Sequence, residues 1–429
     1  MLLLFIAVFI VICVINLFVL KIGMNSFIIV FIPYAMIVAF NNLFLTTYFY
    51  SINDRTILFL ITIMIVYEIV VVFVNLFAWN YKKRLKKNEQ SLGRNFEPSH
   101  FNYTFIEIFT ILAIAVKFAQ VVYIYLTQGF AAIGGNDFEN MKSGVIVNRI
   151  ILLLYPAGWL LWVRFLYGKD LSVKSKIKYL ILVLLVLLVH FLDATKAHSL
   201  IYLLGLFFIA AVYKKRNVLI GFVALTFLVL FLFFSNYALS WLGVDGSVPS
   251  IEYTLVHAWK YVSSGTININ TFLSESASNG SFFDYWLDVF SPIPNEFYSA
   301  ITGKSIPMQV SFSFLQNDGP LVSHTFNERS NVISLFAFFF SDKNPLSLIL
   351  NVGIFAVINE SCTICFKSSK SASLRLFSLV VVLFAFVSFF SCYYRHAPFW
   401  QILLYTPLFV FISKRRFTRN RFILKEVSA

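Results

Sequence analysis

The chain has 429 residues, 59% hydrophobic and 13% charged, with a mean hydropathy of +0.81 and a formal net charge of +14. A soluble domain is about half apolar and about a quarter charged, so composition excludes a soluble globular protein. The basic excess would fit nucleic acid, but beside recurrent apolar runs it fits cytoplasmic loops that follow the positive-inside bias.

Apolar runs near 20 residues recur along the chain, each about long enough to cross a bilayer as a helix. Unbroken Leu, Ile, Val and Phe argue for helices rather than a barrel of short alternating strands. The 51 Phe fit a codon-biased genome better than a dedicated role. The expected architecture is all-α: a polytopic helix bundle of about 11 spans with a large extracytoplasmic loop between spans 8 and 9.

In chain order, the N-terminal apolar run has no basic leader and is followed by more spans, so it reads as span 1 (2–20) rather than a cleaved signal. Spans 2 and 3 are expected at 26–45 and 56–79. The cluster Lys82, Lys83, Arg84, Lys86, Lys87 and Arg94 then belongs to the cytoplasm, which puts the N-terminus outside. Span 4 (104–127) leads to an outer loop rich in turn formers, with Gly134, Gly135 and Asn136. Span 5 (146–167) ends at inner Lys169, Lys174, Lys176 and Lys178. Span 6 (179–194), a tight outer turn with Lys196 and His198, span 7 (199–213) and span 8 (217–235) complete a first bundle, 1–235.

Residues 236–330 form the long outer loop, with eight acidic residues (Asp245, Glu252, Glu275, Asp284, Asp288, Glu296, Asp318, Glu328) against three basic ones (Lys260, Lys304, Arg329). Its aromatic content argues for a folded domain. Ile251, Leu255, Trp259 and Val262 predict the apolar face of an amphipathic helix. The aromatic run 281–298 predicts a segment resting on the membrane surface. The region 331–413 is expected to hold a re-entrant or surface helix and spans 9 (345–362), 10 (372–392) and 11 (397–413), before a basic cytoplasmic tail, 414–429.

Charges inside the spans are few. Glu68 and Lys117 lie about 18 and about 15 Å below the outer ends of spans 3 and 4 at 1.5 Å per residue, where an ion pair between neighbouring helices would satisfy both. Cys13, Cys362, Cys365 and Cys392 sit in or beside spans, and the one CxxC has no second pair to make a metal site. No metalloprotease, P-loop or serine-hydrolase motif is present.

The outer cations run against the positive-inside trend: Arg55, Lys142, Arg149, Lys196, Lys260, Lys304, Arg329, Lys343 and Arg395. Arg149, Lys196, Arg329 and Arg395 each stand where a span meets the outer surface, suited to gripping a phosphate. Among the six histidines, His324, His198, His257 and His396 fall on the same side, and His324 lies five residues before Arg329. A neutral imidazole there would serve as general base.

The many spans, the single late acidic outer loop, the cationic turn DATKAHSL and the passage HTFNERSNVISLFAFFFSD resemble the O-antigen polymerases, the Wzy-type oligosaccharide repeat-unit polymerases. In the turn the cation is Lys196 and Gly is absent; after Asp342 stands Lys343 where the family usually has Gly. The resemblance implies a metal-independent glycosyltransferase without cofactor, at the periplasmic face of a bacterial inner membrane, with a cytoplasmic C-terminus. It would join undecaprenyl-diphosphate-linked repeat units, with a chain-length regulator and a flippase of the same pathway as partners and no nucleic acid. His324 and Arg329 would be catalytic, and Arg149, Lys196, His198, Arg395 and His396 would bind substrate. An O-antigen ligase shares this architecture, and a lipid-linked oligosaccharide flippase is the transport alternative, although no internal repeat is evident.

Overall fold

A computed structural model describes residues 1–20, 25–86, 101–128, 145–168, 171–192, 196–212, 251–275, 281–315, 319–369 and 371–414, with 217, 220, 221 and 223. The outer loop after span 4, most of span 8, the start of the long loop and the C-terminal tail lie outside the described residues. Among those described, the chain is helical, with isolated bridges but no strand. Among the described residues seven helices are long and apolar enough to cross a membrane: Ser26–Leu43, Asp54–Ala78, Tyr103–Thr127, Val147–Tyr167, Val173–Leu192, Pro345–Ser368 and Ala372–Phe389. Three shorter apolar helices, Leu2–Phe18, His198–Val212 and Ala397–Ile412, fall where spans 1, 7 and 11 are expected.

The helices are α1 (Leu2–Val14, running into a π-helical turn, Ile15–Val19), α2 (Ser26–Leu43), α3 (Asp54–Lys86), α4 (Tyr103–Gln128) and α5 (Val145–Leu152). There follow α6 (Leu154–Tyr167), α7 (Val173–Leu192), α8 (Lys196–Val212), α9 (Ile251–Ser274) and α10 (Phe282–Phe290). The last five are α11 (Pro292–Thr302), α12 (Leu335–Phe339), α13 (Pro345–Ser368), α14 (Ala372–Phe386) and α15 (Ala397–Ile412). They group into two units that interleave along the chain. Unit 1 is Met1–Lys87, Ser250–Cys365 and Val381–Trp400, and unit 2 is Asn88–Pro249, Phe366–Val380 and Gln401–Ala429.

Unit 1 is cored by aromatic rings. Phe31 stacks on Phe336 at 5.6 Å, Tyr67 meets Phe31 edge-on at 5.3 Å, and Phe355 lies against Phe339 at 5.4 Å. The re-entrant or surface helix expected after the long loop corresponds to α12. All five residues of α12 are buried, as a segment apolar on every side must be. One end of the unit gathers distant parts of the chain. The N-terminal ammonium is 3.9 Å from Asp54, and Asn270 Nδ2 donates to Ser51 O at 2.8 Å.

The helix expected from residue 251 exists but runs to Ser274, and the face assigned from its apolar spacing is not the buried one. Leu255 and Val262 are 65% and 37% exposed, while Ser263, Ser264, Thr266, Asn268 and Phe272 are buried. The reason is local. Polar side chains of α9 satisfy the irregular backbone beside it, so its polar face turns inward. Helix α10 begins in a Ser281–Asp284 capping box. With α11 it turns Phe283, Leu287, Phe290, Phe297 and Ile301 outward, a row suited to a membrane interface.

In unit 2, α6 is tied to α8 by a ladder of aromatic donors. Tyr155 OH donates to His198 O at 3.0 Å, Trp159 Nε1 to Tyr202 O at 3.4 Å and Trp162 Nε1 to Leu206 O at 3.1 Å. The spacing of 155, 159 and 162 puts the three rings on one helix face.

Candidate functional site

The site grows from the segment after Gly319. Gly319 has φ +74°, and a Cβ there would collide with the Ser330 carbonyl, so glycine lets the chain double back. Leu321 and Arg329 then form an antiparallel bridge. Val322 N donates to Glu328 O at 2.8 Å and Ser330 N to Pro320 O at 3.1 Å. Asn327, at φ 49°, turns the tip. The outgoing arm is pinned to the α2–α3 turn, with His324 N donating to Tyr48 O at 2.9 Å and Tyr50 N to Val322 O at 3.2 Å. The returning arm is fixed on α9, where Asn268 Nδ2 donates to the carbonyls of Ser330 and Val332 at 2.9 and 2.7 Å.

Extended backbone sends successive side chains to opposite faces, and Glu328 and Arg329 show it. Glu328 turns to α9, where His257 and Lys260, one helical turn apart, reach its two oxygens. His257 Nδ1 lies 2.9 Å from Oε1, and Lys260 Nζ pairs with Oε2. Burial alone would raise the Glu328 carboxyl, but the hydrogen bonds and charges of His257 and Lys260 outweigh it and hold it at about 2. Glu328 is thus a fixed anion that positions Lys260, not a proton acceptor near neutral pH. Arg329 turns the other way. It is exposed, donates through Nη1 to Gly319 O at 3.1 Å, and among the described residues pairs with no carboxylate.

Between α9 and the returning arm lies a cavity of about 400 Å³ lined by Lys260, Tyr261, Ser264, Asn327, Arg329, Ser330, Asn331, Val332 and Phe390. Its floor is tight because Gly265 of α9 abuts the carbonyls of Phe389 and Phe390. The lining combines two cations, four neutral polar side chains and two aromatic rings. That chemistry suits an anion carrying hydroxyl groups: guanidinium for phosphate oxygens, amides and hydroxyls for sugar, rings for a sugar face.

Of the residues expected to bind or react, Arg329 lines this cavity and His324 does not. The His324 ring is exposed, 3.8 Å from the ring of Tyr50 and outside the lining of this cavity. Arg395 is corrected. It is 5% exposed and donates through Nη2 to Asp288 Oδ2 at 2.6 Å and to Val310 O at 2.6 Å. Asp288 in turn accepts from the backbone of Gln309 and Val310 at 2.7 and 2.8 Å. This guanidinium closes a structural knot and is not offered to an anion. His396, exposed, adjoins it in the chain.

Arg149, Lys196 and His198 belong to unit 2. Arg149 is exposed on α5, and Lys196 opens α8 with its side chain outside the described residues. His198, expected on an outer turn, is instead buried beside Tyr155, ring centroids 6.1 Å apart, because α8 starts two residues earlier. Lys343 is engaged as well. Its ammonium donates to Phe272 O and lies 3.4 Å from the centre of the Phe272 ring. Burial lowers it to about 8, against the opposing charge of Glu275. Asp342 accepts from Asn344 N at 3.0 Å and from Ser347 Oγ at 2.5 Å, which shapes the entry to α13.

Sequence reasoning counts Lys260 among the outer cations but does not single it out. It misses Tyr261, Asn327 and the anchoring role of Glu328. The signal for Lys260 was its spacing from His257 opposite a lone acidic residue. Among the described residues no cluster of His, Cys, Asp and Glu could hold a metal ion. No family model, curated protein or solved structure matches the chain.

Proposed function

We propose that the protein is a membrane glycosyltransferase that polymerises undecaprenyl-diphosphate-linked oligosaccharide repeat units, an O-antigen polymerase. Its cavity would open to the periplasmic side of a bacterial inner membrane. The observation that carries this reading is Arg329, a guanidinium without a carboxylate partner among the described residues, in a cavity shared with Lys260, neutral polar groups and rings. In this reading the eleven-span count stands, with the N-terminus periplasmic and the C-terminus cytoplasmic. The basic clusters after spans 3, 5 and 7 then share one side.

The donor carries its own leaving group. As the acceptor hydroxyl attacks the anomeric carbon, the bond from that carbon to the phosphate oxygen breaks and its electron pair leaves with the lipid diphosphate. Arg329 and Lys260 would already be aimed at the charge that grows there, which lowers the barrier without a metal. Glu328 keeps Lys260 in place and stays ionised. In this reading the acceptor's proton passes to the departing diphosphate, since Glu328 is held as an anion by His257 and Lys260 and the His324 ring does not line the cavity. Tyr261 and Phe390 offer ring faces to the sugars.

Purified protein supplied with lipid-linked repeat units tests the reading. A ladder of products that Arg329→Ala reduces by about 100-fold or more, with Arg329→Lys intermediate, supports it. A single transfer to lipid A core would assign a ligase, and full activity of Arg329→Ala would remove the cavity from the chemistry.

A further inference from the structure

A second polar cluster lies inside unit 1, within helices long and apolar enough to cross a membrane. Glu68 of α3 and Glu360 of α13 are 8% and 1% exposed. Among the described residues neither has an ion-pair partner, and both are hydrogen-bonded by neutral groups. Glu360 uses both oxygens as acceptors, from Ser26 N at 2.8 Å and Asn75 Nδ2 at 2.7 Å. Ser26 opens α2, where the helix dipole favours an anion. Glu68 Oε2 accepts from Asn16 Nδ2 at 3.0 Å. Asn16 is set by the π-helical turn that ends α1, a distortion common at functional sites.

Two atoms of the Asn16–Glu68 contact are buried without a partner: Asn16 Oδ1 and Glu68 Oε1. Both are acceptors while Glu68 is ionised, and burying them so is costly. A proton on Glu68 Oε1 would supply a donor for Asn16 Oδ1 beside the existing Asn16 Nδ2–Glu68 Oε2 bond. It also leaves one negative charge in the cluster rather than two, where paired carboxylates in a low dielectric repel. The other titratable groups that face Glu68 are Cys13 from α1, Tyr67 from its own helix and Glu360 from α13. None brings a positive charge.

We propose that unit 1 contains a proton-binding site in which Glu68 holds the proton, Asn16 receives its hydrogen bond and Glu360 keeps the negative charge at the first turn of α2. Losing the proton would place two like charges between α1, α3 and α13 and loosen the packing of α1, so occupancy of the site is coupled to that contact. This inference does not depend on the reaction proposed for the cavity.

Infrared spectroscopy of the purified full chain in lipid nanodiscs, titrated from acid to alkali, reads the site directly. The expected result is a protonated-carboxyl band at neutral pH that is lost in Glu68→Gln and unchanged when sodium is replaced by choline. In Glu360→Gln the same band should titrate at lower pH, because removing the neighbouring negative charge eases ionisation of Glu68. A shift to lower pH therefore supports the site, and a shift to higher pH overturns it. The proposal is also overturned if wild-type protein shows no such band at neutral pH, if Glu68→Gln retains it, or if it appears only when sodium is withdrawn. The last result would assign the site to a sodium ion.

Discussion

Replacing Arg395 by Met is the most informative perturbation of unit 1, because it separates a structural guanidinium from a substrate-binding one. In the native protein Asp288 is 1% exposed and accepts three hydrogen bonds, one of them from Arg395 Nη2. The same nitrogen donates to Val310 O, so the substitution removes the charge that balances a buried carboxylate and uncovers a buried carbonyl. Breaking a buried pair from one side costs about 3–5 kcal/mol, because the remaining charge stays inside without compensation. Equilibrium unfolding in mixed micelles measures it, with Arg329→Ala as the exposed comparison, expected within about 0.5 kcal/mol of wild type. Asp288→Asn combined with Arg395→Met should cost less than the two single changes added, since the stranded charge is gone. An Arg395→Met protein of native stability that had lost activity would refute this reasoning and return Arg395 to the anion site.

Two further outcomes follow from the geometry. Glu328→Gln should be less stable than wild type at neutral pH. The folded carboxyl sits near 2 against an ordinary 4.5, so its stabilisation is present above about 4.5 and is lost as pH falls towards about 2; melting curves of both proteins across that range should converge at the acid end, and a constant gap would contradict the ion-pair cluster. Gly265→Ala should cost about 1–3 kcal/mol and reduce turnover, because its Cβ would collide with the carbonyls of Phe389 and Phe390; a variant of unchanged stability and activity would show that α9 does not need this approach.

The sequence marks the spanning helices well because length and apolarity are local properties. Expected spans at 26–45, 104–127 and 146–167 correspond to helices at Ser26–Leu43, Tyr103–Thr127 and Val147–Tyr167. Span 9 is expected at 345–362, and the helix there runs on to Ser368. Its polar residues Asn359 and Glu360 look like a boundary until their partners are known, and Glu360 is satisfied by Ser26, 334 residues away. Long-range pairing also explains the misplaced cations. Nothing local to Arg395 reveals Asp288, 107 positions earlier. Arg329 is legible as a cation in a stretch rich in acidic residues, and the structure finds it exposed on the cavity wall.

The most direct test of the central claim is thiol labelling of Asn331→Cys, at an exposed position on the cavity wall, with a membrane-impermeant maleimide and the unmodified protein as background. The account predicts labelling from the periplasmic side and protection by added undecaprenyl diphosphate that disappears when Arg329→Ala is also present. Labelling only from the cytoplasmic side, or a rate that the prenyl diphosphate leaves unchanged, would contradict it.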